Sequence, residues 1–102
     1  MEYTELDSAG RRELLKNMLR GFEQQHMARD MDARRFDGYL KAIDAGEFAH
    51  VDKRVLNDRR VGWTQQRDQA VMDVRGFELD IRRITGDLAA LPEEQTTADG
   101  DS

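Results

Sequence analysis

Cysteine is absent from this chain of 102 residues, and serine occurs only at Ser8 and Ser102. Without thiols there can be no disulfide framework and no thiolate metal site, and nothing favours an oxidising compartment. The sequence also lacks a glycine-rich phosphate loop and a His-Glu-x-x-His motif, so nucleophilic and nucleotide chemistry have no candidate residues. These absences lean against conventional catalysis, and they predict a cytoplasmic protein.

Long apolar runs and a basic leader are missing as well. The first seven residues include Glu2, Glu5 and Asp7, and no apolar run approaches the length that crosses a bilayer. We therefore expect a soluble chain with no membrane partner. Pro92 is the only proline, so ring geometry does not force a break in any helix before that residue.

Charged residues make up 36% of the sequence and hydrophobic residues 38%, a balance typical of exposed helices and coiled coils. Apolar residues, together with one histidine, recur at helical spacing in two stripes. The first stripe comprises Leu15, Met18, Phe22, His26, Ala33, Phe36, Leu40 and Ile43. The second comprises Leu56, Trp63, Ala70, Val74, Phe77, Ile81, Ile84, Leu88 and Leu91. The stripes predict two long helices.

The ends of these helices are marked by capping and breaking residues. Thr4 and Asp7 are both suited to cap the first helix, Gly46 is suited to end it, and Pro92 ends the second. The predicted order is a helix at about residues 5–45, a turn at about 46–50, a helix at about 51–91 and a disordered acidic tail at 92–102. The predicted fold is all-α, with two antiparallel amphipathic helices in one domain over residues 1–91.

The length of the helices predicts self-association. Each helix would be roughly 55 Å long at 1.5 Å per residue, and two such helices cannot cover each other's apolar faces completely. We therefore expect a homodimeric four-helix bundle. The residues expected to mediate helix packing and self-association are Phe22, Phe36, Trp63, Val74, Phe77, Ile81, Ile84 and Leu88. A monomer with kinked or broken helices, repacked as three or four helices, is the competing prediction.

The tetrapeptide Arg-Gly-Phe-Glu occurs at residues 20–23 and again at residues 75–78. A turn near Gly46 brings the two copies together across the hairpin. The predicted cross-helix pairs are Gly21 with Gly76, Arg20 with Glu78, and Arg75 with Glu23. The glycines would let backbones or phenyl rings approach closely, whereas chance recurrence and flexible kinks are the competing explanations.

Glu23 and His26 form a Glu-x-x-His pair on one helical face, the spacing by which ferritin-like four-helix proteins hold iron. A complete site needs a further carboxylate from another helix. Asp73 and Glu78 are the candidates: in the predicted register Asp73 lies level with Glu23, whereas Glu78 lies about five residues away along the axis. An ordinary polar pair three residues apart is the commoner explanation, so the first expectation is no cofactor and the alternative is iron.

Polar residues interrupt both stripes near the middle of the hairpin. His26 and Arg29 are expected to face Gln66 and Arg67, and Arg60 also occupies a heptad position that usually carries an apolar residue. A polar core layer of this kind fixes register or oligomeric state at some cost in stability. Splaying of the helices into a solvated cleft is the alternative.

Nucleic acid is an improbable partner on charge grounds. The net charge is -5, and the basic doublets alternate with aspartates, which is typical of a salt-bridged helix surface. The densest basic patch comprises Lys53, Arg54, Arg59 and Arg60.

The leading hypothesis is therefore a non-enzymatic interaction or assembly module that binds itself and another protein. A ferritin-like metal-binding dimer centred on Glu23 and His26 is the alternative, and a nucleic-acid-binding helical hairpin is a further one.

Overall fold

The computed structural model describes residues 7–92, and two helices account for most of them. Helix α1 spans Ser8–Asp44 and helix α2 spans Lys53–Ala90, and each is uninterrupted. They pack against each other as an antiparallel hairpin, and no strand occurs within the described residues. The predicted all-α helical hairpin is confirmed, and the broken helices of the competing prediction do not occur in α1 or α2. Neither helix has a stretch apolar and long enough to cross a membrane.

An aspartate caps the start of each helix. An Oδ1 atom of Asp7 accepts a hydrogen bond of 2.7 Å from the Gly10 amide, and Asp52 accepts one of 2.8 Å from the Arg54 amide. Each carboxylate satisfies an amide that has no partner inside the helix. Thr4, the other cap that the sequence suggested, lies outside the described residues, as does the segment 93–102 of the predicted tail.

The turn after α1 depends on the left-handed backbone of Gly46, whose φ is 81°. Its amide donates to the Ile43 carbonyl at 3.0 Å, and the next amide, of Glu47, donates to the Ala42 carbonyl at 3.0 Å. These two bonds satisfy the last carbonyls of the helix, and residues with a Cβ rarely adopt this φ. Gly46 therefore ends α1, as the sequence predicts.

One heptad register describes the whole seam between the helices, with basic residues at some of its a and d positions. The heptad letters a to g are assigned so that Leu19 and Val74 are at position a. In this assignment, all buried apolar side chains of residues 7–92 lie at a or d. These side chains are Leu15, Phe36, Leu40, Ile43, Ala70 and Ile84. Within residues 7–92, α1 and α2 are the two elements and they pack against each other. This described part of the hairpin is therefore one layer thick, and each helix in it has a single neighbour.

The two Arg-Gly-Phe-Glu segments meet through their phenyl rings. The ring centroids of Phe22 and Phe77 are 6.3 Å apart. The predicted ion pairs of this region are wrong, because Glu78 binds His26 and Arg75 rather than Arg20. Each side chain leans towards the start of its own helix. In an antiparallel pair, a side chain therefore meets a residue that comes later in the partner helix than the residue at its own backbone level.

Candidate interaction surface

Four basic side chains in the seam each bind an acidic side chain on the other helix. The pairs are His26 with Glu78 at 3.2 Å, Arg29 with Asp73 at 2.9 Å, Arg67 with Asp37 at 3.5 Å, and Arg60 with Asp44 at 2.6 Å. We call these pairs the cross-helix ladder. Each basic residue occupies an a or d position, and each acid occupies a flanking e or g position. The basic side chains thus extend from the seam to its rim, where polar groups stay partly hydrated.

The ladder replaces the single polar layer that the sequence suggested. His26 and Arg29 do not face Gln66 and Arg67. Their partners, Glu78 and Asp73, lie about two helical turns further along α2 than the predicted register places them. Arg67 instead binds Asp37, and Gln66 is exposed. The helices do not splay here, since cross-helix contacts continue through the ladder.

Glu78 is held in its charged form by two donors. The Nε2 atom of His26 is 3.2 Å from Oε2, and since a carboxylate only accepts, the imidazole must donate. Arg75 donates to Oε1 at 3.1 Å. The hydrogen bond from His26 is the largest cause that lowers the pKa of Glu78 below its ordinary value of 4.5, and Arg75 adds to it.

Asp37 has a similar environment on α1. Lys41, one turn further along the helix, approaches its carboxylate to 2.9 Å, and Arg67 approaches it from α2. The hydrogen bond from Lys41 is the largest cause that lowers the pKa of Asp37, and the charge of Arg67 contributes.

The candidate metal ligands are distributed among separate contacts. His26 and Glu78 lie together, but Asp73 accepts hydrogen bonds from Arg29 and Gln69, and Glu23 is exposed. Within residues 7–92, no group of three or more histidine, aspartate and glutamate side chains is close enough to hold a metal ion. The ferritin-like alternative would therefore need ligands from a second copy.

The candidate basic patch lies at the start of α2. Lys53, Arg54 and Arg59 are exposed, whereas Arg60 belongs to the cross-helix ladder. The carboxylates of Asp44 and Asp52 lie among these cations. The local positive charge is partly neutralised as a result.

An apolar groove opens at the end of the hairpin where α1 begins and α2 ends. Its volume is about 550 Å³. The lining residues are Leu14, Leu15, Met18, Arg83, Ile84, Asp87, Ala90 and Leu91. All of them occupy c, d or g positions, so the groove opens on one side of the seam. We call this side the c/g face and the opposite side the b/e face.

An aromatic cluster occupies the same face near the turn. The rings of Tyr39 and Trp63 are 4.9 Å apart, and Trp63 also lies 6.3 Å from Phe48. The ring centroids of Phe36 and Tyr39 are 5.9 Å apart, and the two rings are nearly perpendicular. Tyr39 occupies a g position and remains 37% exposed, so the cluster covers the seam and still presents aromatic surface.

The helical glycines do not serve close packing inside the hairpin, which corrects the expectation for Gly21 and Gly76. A Cβ atom built on either residue would have nothing within 4 Å apart from local neighbours. The same holds for Gly38, Gly62 and Gly86. The contacts within one chain therefore do not explain why these positions hold glycine.

The residues predicted for self-association lie mainly in the seam. Phe36 and Ile84 are buried between the chain's own helices. The others are half-buried: Phe22, Trp63, Val74, Phe77, Ile81 and Leu88. The groove was not predicted from the sequence, because Leu14 and Met18 were grouped with the seam residues and were not assigned to a separate face of α1. Their c and g heptad positions were the available signal.

No family model, curated protein or solved structure matches this chain.

Proposed function

We propose that this protein is a non-enzymatic helical hairpin that self-associates and serves as a protein-protein interaction or assembly module. The observation that carries the proposal is the single-layer architecture. Two long helices with one neighbour each leave most of their seam residues half-buried, including Phe22 and Phe77. A second layer of helices would cover these side chains, as in four-helix bundles.

The elongated shape agrees with this proposal. The radius of gyration, 21.8 Å, exceeds the roughly 13 Å of a compact domain of this length.

Solution mass tests the proposal directly. Light scattering coupled to size-exclusion chromatography should give about twice the chain mass of 11.8 kDa at micromolar concentration. The mass should fall on dilution in a single step. A monomer at every concentration would contradict self-association.

The ferritin-like alternative makes a separate prediction. It requires His26 and Glu78, or Glu23, to share a metal ion with a second copy. Metal analysis after reconstitution with iron, manganese or zinc tests it, with His26→Ala as the control. Bound metal that the His26→Ala variant loses would support this alternative over a purely structural pair.

A further inference from the structure

The two faces of the hairpin differ in charge. On α1, every b and e position from Glu13 to Asp44 is charged except Met27. Most c and g positions are uncharged, namely Leu14, Met18, Gly21, Gln25, Ala28, Tyr39 and Ala42. The b/e face carries basic as well as acidic residues. Three of its acids are already paired, Asp30 with Arg34, Asp37 with Lys41 and Asp44 with Arg60. A second copy on the b/e face would take these charged groups out of water, which costs free energy.

The features of the c/g face are arranged symmetrically about its middle. The centre is the ion pair of Arg29 with Asp73. The groove residue Met18 lies about ten residues from the centre in one direction, and Tyr39 lies about ten residues away in the other, roughly 15 Å each. On α2, Ile84 of the groove and Trp63 of the aromatic cluster are also placed at nearly equal distances from Asp73.

The middle of the face carries balanced charge. Arg29 binds both Asp73 and Asp32, and Arg35 lies 3.8 Å from Asp32. Two arginines and two aspartates give this ion cluster no net charge. A copy related by a twofold axis through the centre would therefore meet the cluster without net repulsion, and positive and negative groups could pair across the axis.

We propose that the c/g faces of two copies pack together about a twofold axis near Arg29 and Asp73, so that Tyr39 and Trp63 of each copy enter the groove of the other. This proposal rests on the self-association proposed above and specifies its surface. Because a twofold interface repeats every contact, both grooves are filled and both aromatic clusters are covered. The ladder pair of His26 with Glu78 lies at a and e positions, away from this interface.

The glycines of the c/g face support close approach by a second copy. Gly21, Gly62 and Gly76 all occupy c positions, where nothing within the chain lies near an added Cβ. A glycine inside a helix costs about 1 kcal/mol relative to alanine. A helix of a second copy packed on these positions would make use of the missing side chains.

Disulfide cross-linking tests the arrangement in a chain that has no native cysteine. Met18 and Tyr39 are roughly 30 Å apart along α1, so cysteines at both positions cannot bridge within one chain. We expect the Met18→Cys/Tyr39→Cys variant to form a covalent dimer on mild oxidation. The control, Met27→Cys/Tyr39→Cys, places the first cysteine on the b/e face and should stay uncross-linked. Equal cross-linking of both variants would overturn the proposed surface.

The fluorescence of Trp63 provides an independent readout, because it is the only tryptophan. Met18→Glu should raise the dimer dissociation constant at least about tenfold and shift Trp63 emission to longer wavelength, although Met18 is distant from Trp63 in its own chain. Met27→Glu is the matched control, since it makes the same change on the same helix. It should alter neither the dissociation constant nor the emission.

A second pair of variants excludes misfolding as the cause. Gly76→Arg and Gly86→Arg both replace an exposed helical glycine on α2, and a Cβ is tolerated at both positions. Only Gly76→Arg lies on the c/g face, so only this variant should dissociate the dimer. If the wild type is dimeric and neither Met18→Glu nor Gly76→Arg weakens it, the proposed surface is wrong while self-association stands. If the wild type is monomeric, both proposals fail.

Discussion

The imidazole Nε2 of His26 lies 3.2 Å from the carboxylate of Glu78 across the hairpin. The two residues are separated by more than half of the sequence, and each is a candidate metal ligand by residue type and spacing. In the hairpin they form one step of the cross-helix ladder. A basic side chain in the seam and an acid on its rim favour one register between helices whose apolar contacts alone would permit sliding by a heptad.

Acid should weaken the hairpin through Glu78 and Asp37. Both have a pKa below the ordinary value in the folded chain. A lowered folded pKa stabilises the fold above the unfolded pKa, and this stabilisation is lost as pH falls through the folded pKa. Urea unfolding between about pH 3 and pH 7 should show stability falling below the unfolded values of 4.5 and 3.8. The Asp37→Asn/Glu78→Gln variant should show a shallower fall, and an unchanged fall would contradict the assignment.

Arg29 and Asp73 should be energetically coupled. Both side chains are about one third exposed, at 32% and 34%, so solvent screens their attraction. A double-mutant cycle with Arg29→Ala and Asp73→Ala should give a coupling of about 0.5–1 kcal/mol that declines with salt. The pair of Asp80 with Arg83 lies on a single helix and provides a comparison. A coupling free energy of the same size for Asp80 and Arg83 would show that bridging the two helices does not strengthen the interaction of Arg29 with Asp73.

Truncation of Ile84 should destabilise the hairpin far more than truncation of Leu79. Ile84 is 1% exposed in the seam, whereas Leu79 is 60% exposed at an f position. Ile84→Ala removes buried apolar volume and should lower the free energy of unfolding by about 2–5 kcal/mol. Leu79→Ala should change it by less than about 0.5 kcal/mol. Chemical unfolding followed by circular dichroism measures both. Similar losses would mean that Leu79 is covered in solution.

Two glycines of α1 and its turn should respond to alanine in opposite directions. Gly38 is an exposed helical residue with free space around its Cα, so Gly38→Ala should stabilise by up to about 1 kcal/mol. Gly46 has a φ of 81°, so Gly46→Ala should destabilise by about 1–2 kcal/mol. Thermal unfolding of the two variants, measured side by side, is sufficient. A stabilising Gly46→Ala would contradict the turn geometry.

Local signals in the sequence were sufficient for the architecture. The spacing of apolar residues reflects helical geometry within each segment, and Gly46 supplies a backbone conformation that few other residues adopt. Helix type, helix number and the position of the turn depend on such local properties. The polar interruption at His26, Arg29 and Arg67 was also visible, because charged side chains stand where the heptad predicts apolar ones.

The partners of those charges were decided only by the tertiary structure. Two helices can slide by a turn and still bury apolar stripes, which is why the predicted pair of Glu78 with Arg20 is wrong and Glu78 meets His26. The direction in which side chains lean along each helix, combined with the antiparallel packing, selected His26. The same three-dimensional arrangement placed Leu14, Met18 and Leu91, from opposite ends of the chain, around one groove. The apolar spacing was therefore set by sequence, whereas ion pairing and surface shape followed from how the two helices lie against each other.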